Sequence, residues 1–378
     1  MTRRERVLAA VSHKQPDRIP IDIGGTRDSS IVVEGYERLK KHFQVQSPDR
    51  LCDRMMRVVN VDEKILAGLD TDVRPIFPGA STRNPSVELS PNSYRDTWGV
   101  ERTQPEGGFY YDQYRYPLSG PITISDIRRY PWPDPEDPGY VQGLREQLEW
   151  IRKNTDCAAI LTLPAPFIHT SQYLRGYEDW FCDFADDPSL IESLFDAILE
   201  INLHVAKREL EAVGKEVDLV ICADDLGTQN GLQISYDAYK KYIKPRHRKY
   251  FDLIHSLTPA KVIFHSCGSL VQVLPDLIDI GVDILNPVQT TATGMNPKTL
   301  KKQYGKQLVF WGAVDTQHIL PNGTVADVKR TVEYLIEHLG EGGGYVLAAC
   351  HNLQPDVPME NILTMFKHAQ EYRPSYAS

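Results

Sequence analysis

An imidazole and a thiol stand two residues apart in Val262-Ile263-Phe264-His265-Ser266-Cys267-Gly268. These are the two side chains best suited to holding zinc. If the apolar run before them is a β-strand, its side chains alternate between faces, so Ile263, His265 and Cys267 project one way while Phe264 and Ser266 project the other. The strand would then present a ligand pair at its tip. A catalytic zinc site uses three protein ligands and keeps a fourth position open. Cys350 and His351 supply the candidates for the third. Neighbours on a regular strand point to opposite faces, so only one of the two is expected to ligate the ion. Thiolate and imidazole favour Zn2+ over Mg2+ or Ca2+. A lone His-x-Cys pair also arises from packing or chance; the second Cys-His pair gives the metal reading its weight.

Other polar residues follow the same apolar runs. Asp224 and Asp225 form a carboxylate pair suited to acid-base work, because burial or a neighbouring charge displaces a carboxyl pKa. Adjacent aspartates at a strand end also cap helices and order loops. Gln229, Gln289, Asp315, Gln317 and Asn352 suggest an amide-lined mouth that would bind a neutral polar substrate. Loop residues that merely satisfy turn backbone have the same composition. His169 is a further candidate for the mouth, whereas His204, His338 and His368 fall in helical stretches, and Cys52, Cys157, Cys182 and Cys222 read as packing residues.

Eight β-rich runs would position these groups: 19–24, 72–77, 158–163, 217–223, 261–267, 282–286, 308–314 and 344–349. Segments with helical spacing lie between most of them, such as 188–213 with Leu190, Leu194, Ile198, Ile201 and Val205. Eight alternating units imply an α/β fold in which a parallel sheet closes into a (β/α)8 TIM barrel with its active site at the strand C-termini. Residues 84–125 break the rhythm. Their alternating polar and aromatic residues around Gly107-Gly108 read as an antiparallel hairpin inserted after the second strand. The proline-rich stretch 130–140 is too short for a domain linker, so residues 1–378 read as one barrel domain.

Composition narrows the partners. The 42 Lys and Arg against 51 Asp and Glu give a net charge of −9, with no basic block. That balance argues against nucleic acid and anionic membranes and for small molecules or a protein partner. No secretory leader or long apolar run is present, and six scattered cysteines suit a reducing compartment, so the expected location is cytoplasmic. A homodimer is an open option.

Four stretches carry a resemblance: the opening TRRERVLAAVSHKQPDRIP, LRGYEDW at 174–180, FHSCGS at 264–269 and PDVPMENI at 355–362. Together they resemble the uroporphyrinogen decarboxylase superfamily of (β/α)8 barrels over nearly the whole chain. Its branch of cobalamin-dependent methyltransferases is the more similar, because its zinc site uses an H-x-C pair and a later Cys. The resemblance matches His265 and Cys267 to that pair and aligns the third ligand with Cys350 or His351. It implies a zinc-dependent methyltransferase that moves a methyl group between a small methoxy, methylamine or thiol compound and a corrinoid. No D-x-H-x-x-G motif is present, so the corrinoid is expected on a separate corrinoid protein. The decarboxylases carry R-Q-A-G-R after the first strand to hold tetrapyrrole carboxylates, where this chain has Ile23-Gly24-Gly25-Thr26-Arg27. That departure weakens a decarboxylase reading, in which Asp224 and His351 would be the polar catalysts. A non-enzymatic zinc- or ligand-binding barrel is the third option.

Overall fold

Seven of the eight apolar runs become the parallel strands of one curled sheet. In the computed structural model, which describes residues 1–377, the strands in chain order are β1 (Leu51–Asp53), β2 (Val58–Val59), β3 (Val73–Ile76), β4 (Val87–Ser90), β5 (Ser93–Arg95), β6 (Glu101–Thr103), β7 (Asp112–Arg115), β8 (Ala158–Thr162), β9 (Leu219–Ala223), β10 (Lys261–His265), β11 (Ile284–Asn286), β12 (Val309–Val314) and β13 (Tyr345–Ala349). The sheet order is β13-β12-β11-β10-β9-β8-β3, the sequential order of a TIM-barrel-like fold.

The run 19–24 behaves differently from the other seven. It makes a single bridge, Ile21 to Leu347, yet it touches both edges of the sheet. Leu347 N–H donates to Pro20 O (2.9 Å), Asp22 N–H to Leu347 O (2.9 Å) and Asp72 N–H to Ile21 O (3.0 Å). Ile21 N–H donates instead to the buried Asp72 carboxylate at 2.8 Å, which diverts a ladder bond to a side chain and keeps the segment short of a strand. Arg6 Nη1 (2.6 Å) and Arg18 Nη1 (2.7 Å) complete the Asp72 carboxylate, so a buried charge is paired as its desolvation requires.

Period-two alternation divides the core. Ala158, Ile160, Leu219, Ile221, Ile263, Ile284, Val309, Trp311, Val346 and Ala348 fill the inside of the sheet, and the intervening residues pack against the surrounding helices. The helix Pro188–Val213 illustrates the outer layer. Asp187 caps it by accepting from Leu190 N–H, Pro188 starts it, and Leu190, Ile191, Leu194, Phe195 and Ile198 bury one face. Each such side chain contributes about 1.5–3 kcal/mol through burial, and Leu194→Ala would cost ~2–5 kcal/mol.

The insertion after β3 is more than a hairpin. Strands β4, β5, β6 and β7 form a four-stranded antiparallel sheet in sequential order, with Gly107-Gly108 in the β6–β7 connection. The difference arises because Asn92, in the turn Pro91-Asn92, and Asp96, beside Gly99 at φ +84°, each make a tight reversal. Two extra strands therefore form from residues whose alternation is short. No helix among the described residues is long and apolar enough to cross a membrane.

Candidate metal centre

The tip of β10 and the turn after β13 meet at the open end of the sheet. His265, Cys267 and His351 bring their ligand atoms within 4.8 Å of one another. Cys267 Sγ lies 3.5 Å from His265 Nε2. Tetrahedral zinc with bonds of ~2.3 Å to sulfur and ~2.05 Å to nitrogen would separate such a pair by about 3.6 Å, so this edge of the site already has the required length. The other ring nitrogen, His265 Nδ1, sits 2.6 Å from Asn286 Oδ1 and 3.8 Å from an oxygen of Asp28. In the neutral ring, a proton on Nδ1 donated to Asn286 puts the lone pair on Nε2, the nitrogen beside Cys267 Sγ, the arrangement typical of metal-binding histidines.

Of the two candidates for a third ligand, His351 is the one whose ligand atom lies with those of His265 and Cys267. His351 stands beside His265, with ring centroids 5.6 Å apart, whereas the Cys350 thiol is buried and donates to Val288 O at 3.2 Å. Strand β13 ends at Ala349, so alternation does not extend to Cys350 and His351.

Local backbone explains why Cys267 can turn back onto His265. The loops after β9 and β10 touch main chain to main chain: Ser269 N–H donates to Thr228 O at 2.8 Å. A Cβ on Gly268, at φ +91°, would lie 2.5 Å from Gly227 C. Only glycine fits there. Asp225 Oδ1 then accepts the Cys267 N–H at 2.7 Å.

The two aspartates separate in role. Asp224 is fully buried and accepts from the N–H groups of Phe167 (3.0 Å) and His169 (3.1 Å), with His247 Nε2 at 3.2 Å. It fastens the loop after β8 and is not among the cavity-lining residues. Asp225 does line the cavity, and its other oxygen lies 3.3 Å from His169 Nε2. Burial opposes charge on both partners, but their mutual contact prevails: the Asp225 carboxyl is held well below its ordinary range and His169 is raised from 6.5 to about 9. Burial, then Asp225 and Asp28, pushes the Cys267 thiol up. Burial and the neighbouring His265 lower His351, keeping it in the neutral form a metal needs.

A cavity of about 770 Å³ opens from this cluster. His265, His351, Asp225, His169 and Asp28 line it together with Tyr94, Trp98, Arg102, Tyr110 and Tyr111 of the inserted segment. The expected amide-lined mouth takes another form. Gln289 Nε2 donates to Gln229 Oε1 (2.9 Å), Gly268 N–H to Gln289 Oε1 (2.8 Å) and Thr291 Oγ1 to Gln317 Oε1 (2.8 Å). These bonds tie neighbouring loops together. Asp315 accepts from Gln317 N–H at 2.7 Å, and Asn352, oriented to donate, reaches Arg27 O (2.6 Å) and Asp28 O (3.1 Å). None of the five is among the cavity-lining residues; loop backbone and neighbouring side chains already satisfy them. Asp28, Asn286 and Arg102 were not singled out from sequence. Asp28 and Arg102 sit in polar loops and strands with no distinguishing spacing, and Asn286 only gains meaning from its register opposite His265.

The family model described as Uroporphyrinogen decarboxylase (URO-D) matches residues 111–372. Among solved structures, a methyltransferase from Methanosarcina mazei superposes with a TM-score of 0.69 at 19% identity, covering 98% of this chain and 99% of its own. At that identity the likeness shows a shared fold. A GH113 beta-1,4-mannanase superposes with a TM-score of 0.42 at 10% identity over 94% and 99% of the two chains, too low to carry any argument. No curated protein matches the sequence.

Proposed function

The chain belongs to the uroporphyrinogen decarboxylase family, and we propose that it is a zinc-dependent methyltransferase, moving a methyl group between a small methylated compound and a corrinoid carried on a partner protein. The observation that carries this reading is the convergence of His265, Cys267 and His351, with the two histidines lining a large cavity. The whole-length fold shared with a protein described as a methyltransferase supports it. Zinc bound there would supply a Lewis acid for a departing methoxy oxygen or hold a substrate thiol as thiolate at neutral pH.

The chain's own groups fit that task. Asn286 fixes the His265 tautomer, and Asp225 fixes the Cys267 main chain. His169 carries its proton near neutral pH at the cavity wall and can donate a hydrogen bond to the oxygen, nitrogen or sulfur that loses the methyl group. Asp28 adds negative charge beside the ligand cluster, which offsets a divalent cation. A corrinoid protein would dock where the cavity opens to solvent, so that cobalt can reach a methyl group held at the cluster.

Decarboxylation of a polyanionic tetrapyrrole fits less well. The cavity's guanidiniums already face carboxylates: Arg54 binds Glu88 at 2.6 and 2.7 Å, Arg102 binds Asp96 at 2.9 Å, and Arg27 stands 3.4 Å from Asp53. Several desolvated substrate carboxylates would lack compensating charge.

The test mixes zinc-loaded protein, a corrinoid protein and a panel of methoxyaromatic, methylamine, betaine and thiol compounds, and follows the visible bands of cobalt. Zinc-dependent spectral change with at least one compound is the expected outcome. A folded, zinc-loaded protein that moves the spectrum with none of them would overturn the reading.

A further inference from the structure

Unpartnered polar atoms are scarce in folded proteins, and here they gather. Seven buried side-chain polar atoms among the described residues lack a hydrogen-bond partner, and three of them, Arg27 Nε, Thr162 Oγ1 and Glu209 Oε2, belong to residues lining the cavity described above. Native structures pair such groups because an unpaired buried donor or acceptor carries its full desolvation penalty. A cluster of exceptions in one cavity marks a place where a ligand supplies the missing partners.

Glu209 is the most demanding of the three. It projects from the helix Pro188–Val213 and is 1% exposed. Its neighbour Arg208 turns away, donating to Pro135 O (2.6 Å) and Asp137 O (2.9 Å). Asn202, two helical turns earlier and also lining the cavity, gives its amide to Ala165 O (2.8 Å) and Pro166 O (3.2 Å). Ile201, Val205 and Leu163 are apolar members of the same lining, which also includes the Tyr140 phenol within electrostatic reach of Glu209. Thr162, at the tip of β8, is 4% exposed and also lines the cavity.

We propose that Glu209 and Thr162 form a second binding locus in this cavity, which takes a primary ammonium group on the substrate. Both side chains offer oxygen acceptors. A neutral hydroxyl brings one donor, whereas an ammonium brings three and also the positive charge that lets a buried carboxylate ionise. Burial holds the Glu209 carboxyl well above its ordinary value until then, against the pull of Arg27 and Arg208. A substrate anion would face the Glu209 carboxyl, and the cavity's unpartnered donor, Arg27 Nε, belongs to a guanidinium already turned toward Asp53 at 3.4 Å. The locus rests on the reading that this cavity is where the methylated substrate binds; the zinc cluster would engage the methyl-bearing end and Glu209 the ammonium end.

Infrared difference spectroscopy on the zinc-loaded full chain tests this, with butylamine as probe and butanol and butyrate as controls, and with zinc content measured on the same samples. Butylamine should convert a protonated carboxyl band into carboxylate bands, a change missing from Glu209→Gln. Its affinity should fall by roughly tenfold or more in Glu209→Gln, the worth of one charge-assisted hydrogen bond. Glu209→Met and Thr162→Val should melt no lower than the unaltered protein, because a structural partner would be missed and an unfilled ligand group would not. If either fails to fold, the Gln variant and the band of the unaltered protein still decide. Butanol binding as well as butylamine, undiminished butylamine affinity in Glu209→Gln, or an unchanged carboxyl band with butylamine bound would each overturn the locus. Butylamine binding with the expected band change but no zinc would uphold the locus while removing the methyl-transfer reading.

Discussion

Replacing Asp225 by Asn removes one carboxylate charge from the contact with His169 while keeping the shape that accepts the Cys267 N–H. In the unaltered protein His169 Nε2 stands 3.3 Å from Asp225 Oδ2, and its proton is held to about 9 instead of 6.5. That difference corresponds to about 3 kcal/mol at 1.36 kcal/mol per unit. It is counted once for the pair, since the lowered Asp225 carboxyl reflects the same contact. The sign follows from proton binding: the folded protein holds the His169 proton more tightly than the unfolded chain. Its contribution is therefore complete below pH 6.5 and is lost as pH rises through about 9. Metal-free protein should lose up to ~3 kcal/mol of unfolding free energy from this group between those values, and Asp225→Asn should lose much less. Two assays apply. Denaturant unfolding at the two ends of the window gives the difference between the proteins, and NMR of labelled histidine should show the His169 titration falling by at least about one unit in Asp225→Asn. Equal pH-dependence in both proteins, or a His169 titration unmoved by the substitution, would refute the reasoning.

Other outcomes follow from the same geometry. Cys267→Ser and His351→Ala should lose metal on dialysis with the fold retained, whereas Cys350→Ser should keep close to one zinc per chain by metal analysis. Asn286→Ala frees His265 Nδ1 and should weaken zinc affinity by ~10–100-fold in a chelator competition. Uroporphyrinogen should not be turned over; coproporphyrinogen formed at enzymatic rates would return the decarboxylase reading.

Much of this architecture was legible because apolar runs bounded by polar loops are local signals. Runs such as 158–163 and 344–349 differ from strands β8 and β13 by a residue at an end. The run 19–24 was less legible, since a side chain 51 positions away, Asp72, takes its N–H. The expected pair of His265 and Cys267 meets by another route than strand alternation, because β10 ends at His265 and Cys267 turns back through the loop at Gly268; likewise alternation could not choose between Cys350 and His351 once β13 had ended. The glutamines illustrate the opposite failure. Their nearness to strand ends is real, yet loop backbone and one another satisfy them. His169 was a candidate for the mouth, but its partner Asp225 lies on another strand end, and Glu209 is helical and gives no sequence signal. Cys182, expected to pack, is exposed, because the short helix Tyr177–Asp186 buries Trp180 and Asp183 instead.

X-ray absorption at the zinc edge on the purified, zinc-loaded protein addresses the central assignment most directly, because sulfur and nitrogen scatterers differ in distance by ~0.2–0.3 Å. One sulfur and two imidazole nitrogens, with a light-atom fourth ligand that changes when a thiol substrate is added, is the expected result. Two protein sulfurs before any substrate is added, or a shell of oxygen atoms alone, would contradict a centre built from His265, Cys267 and His351.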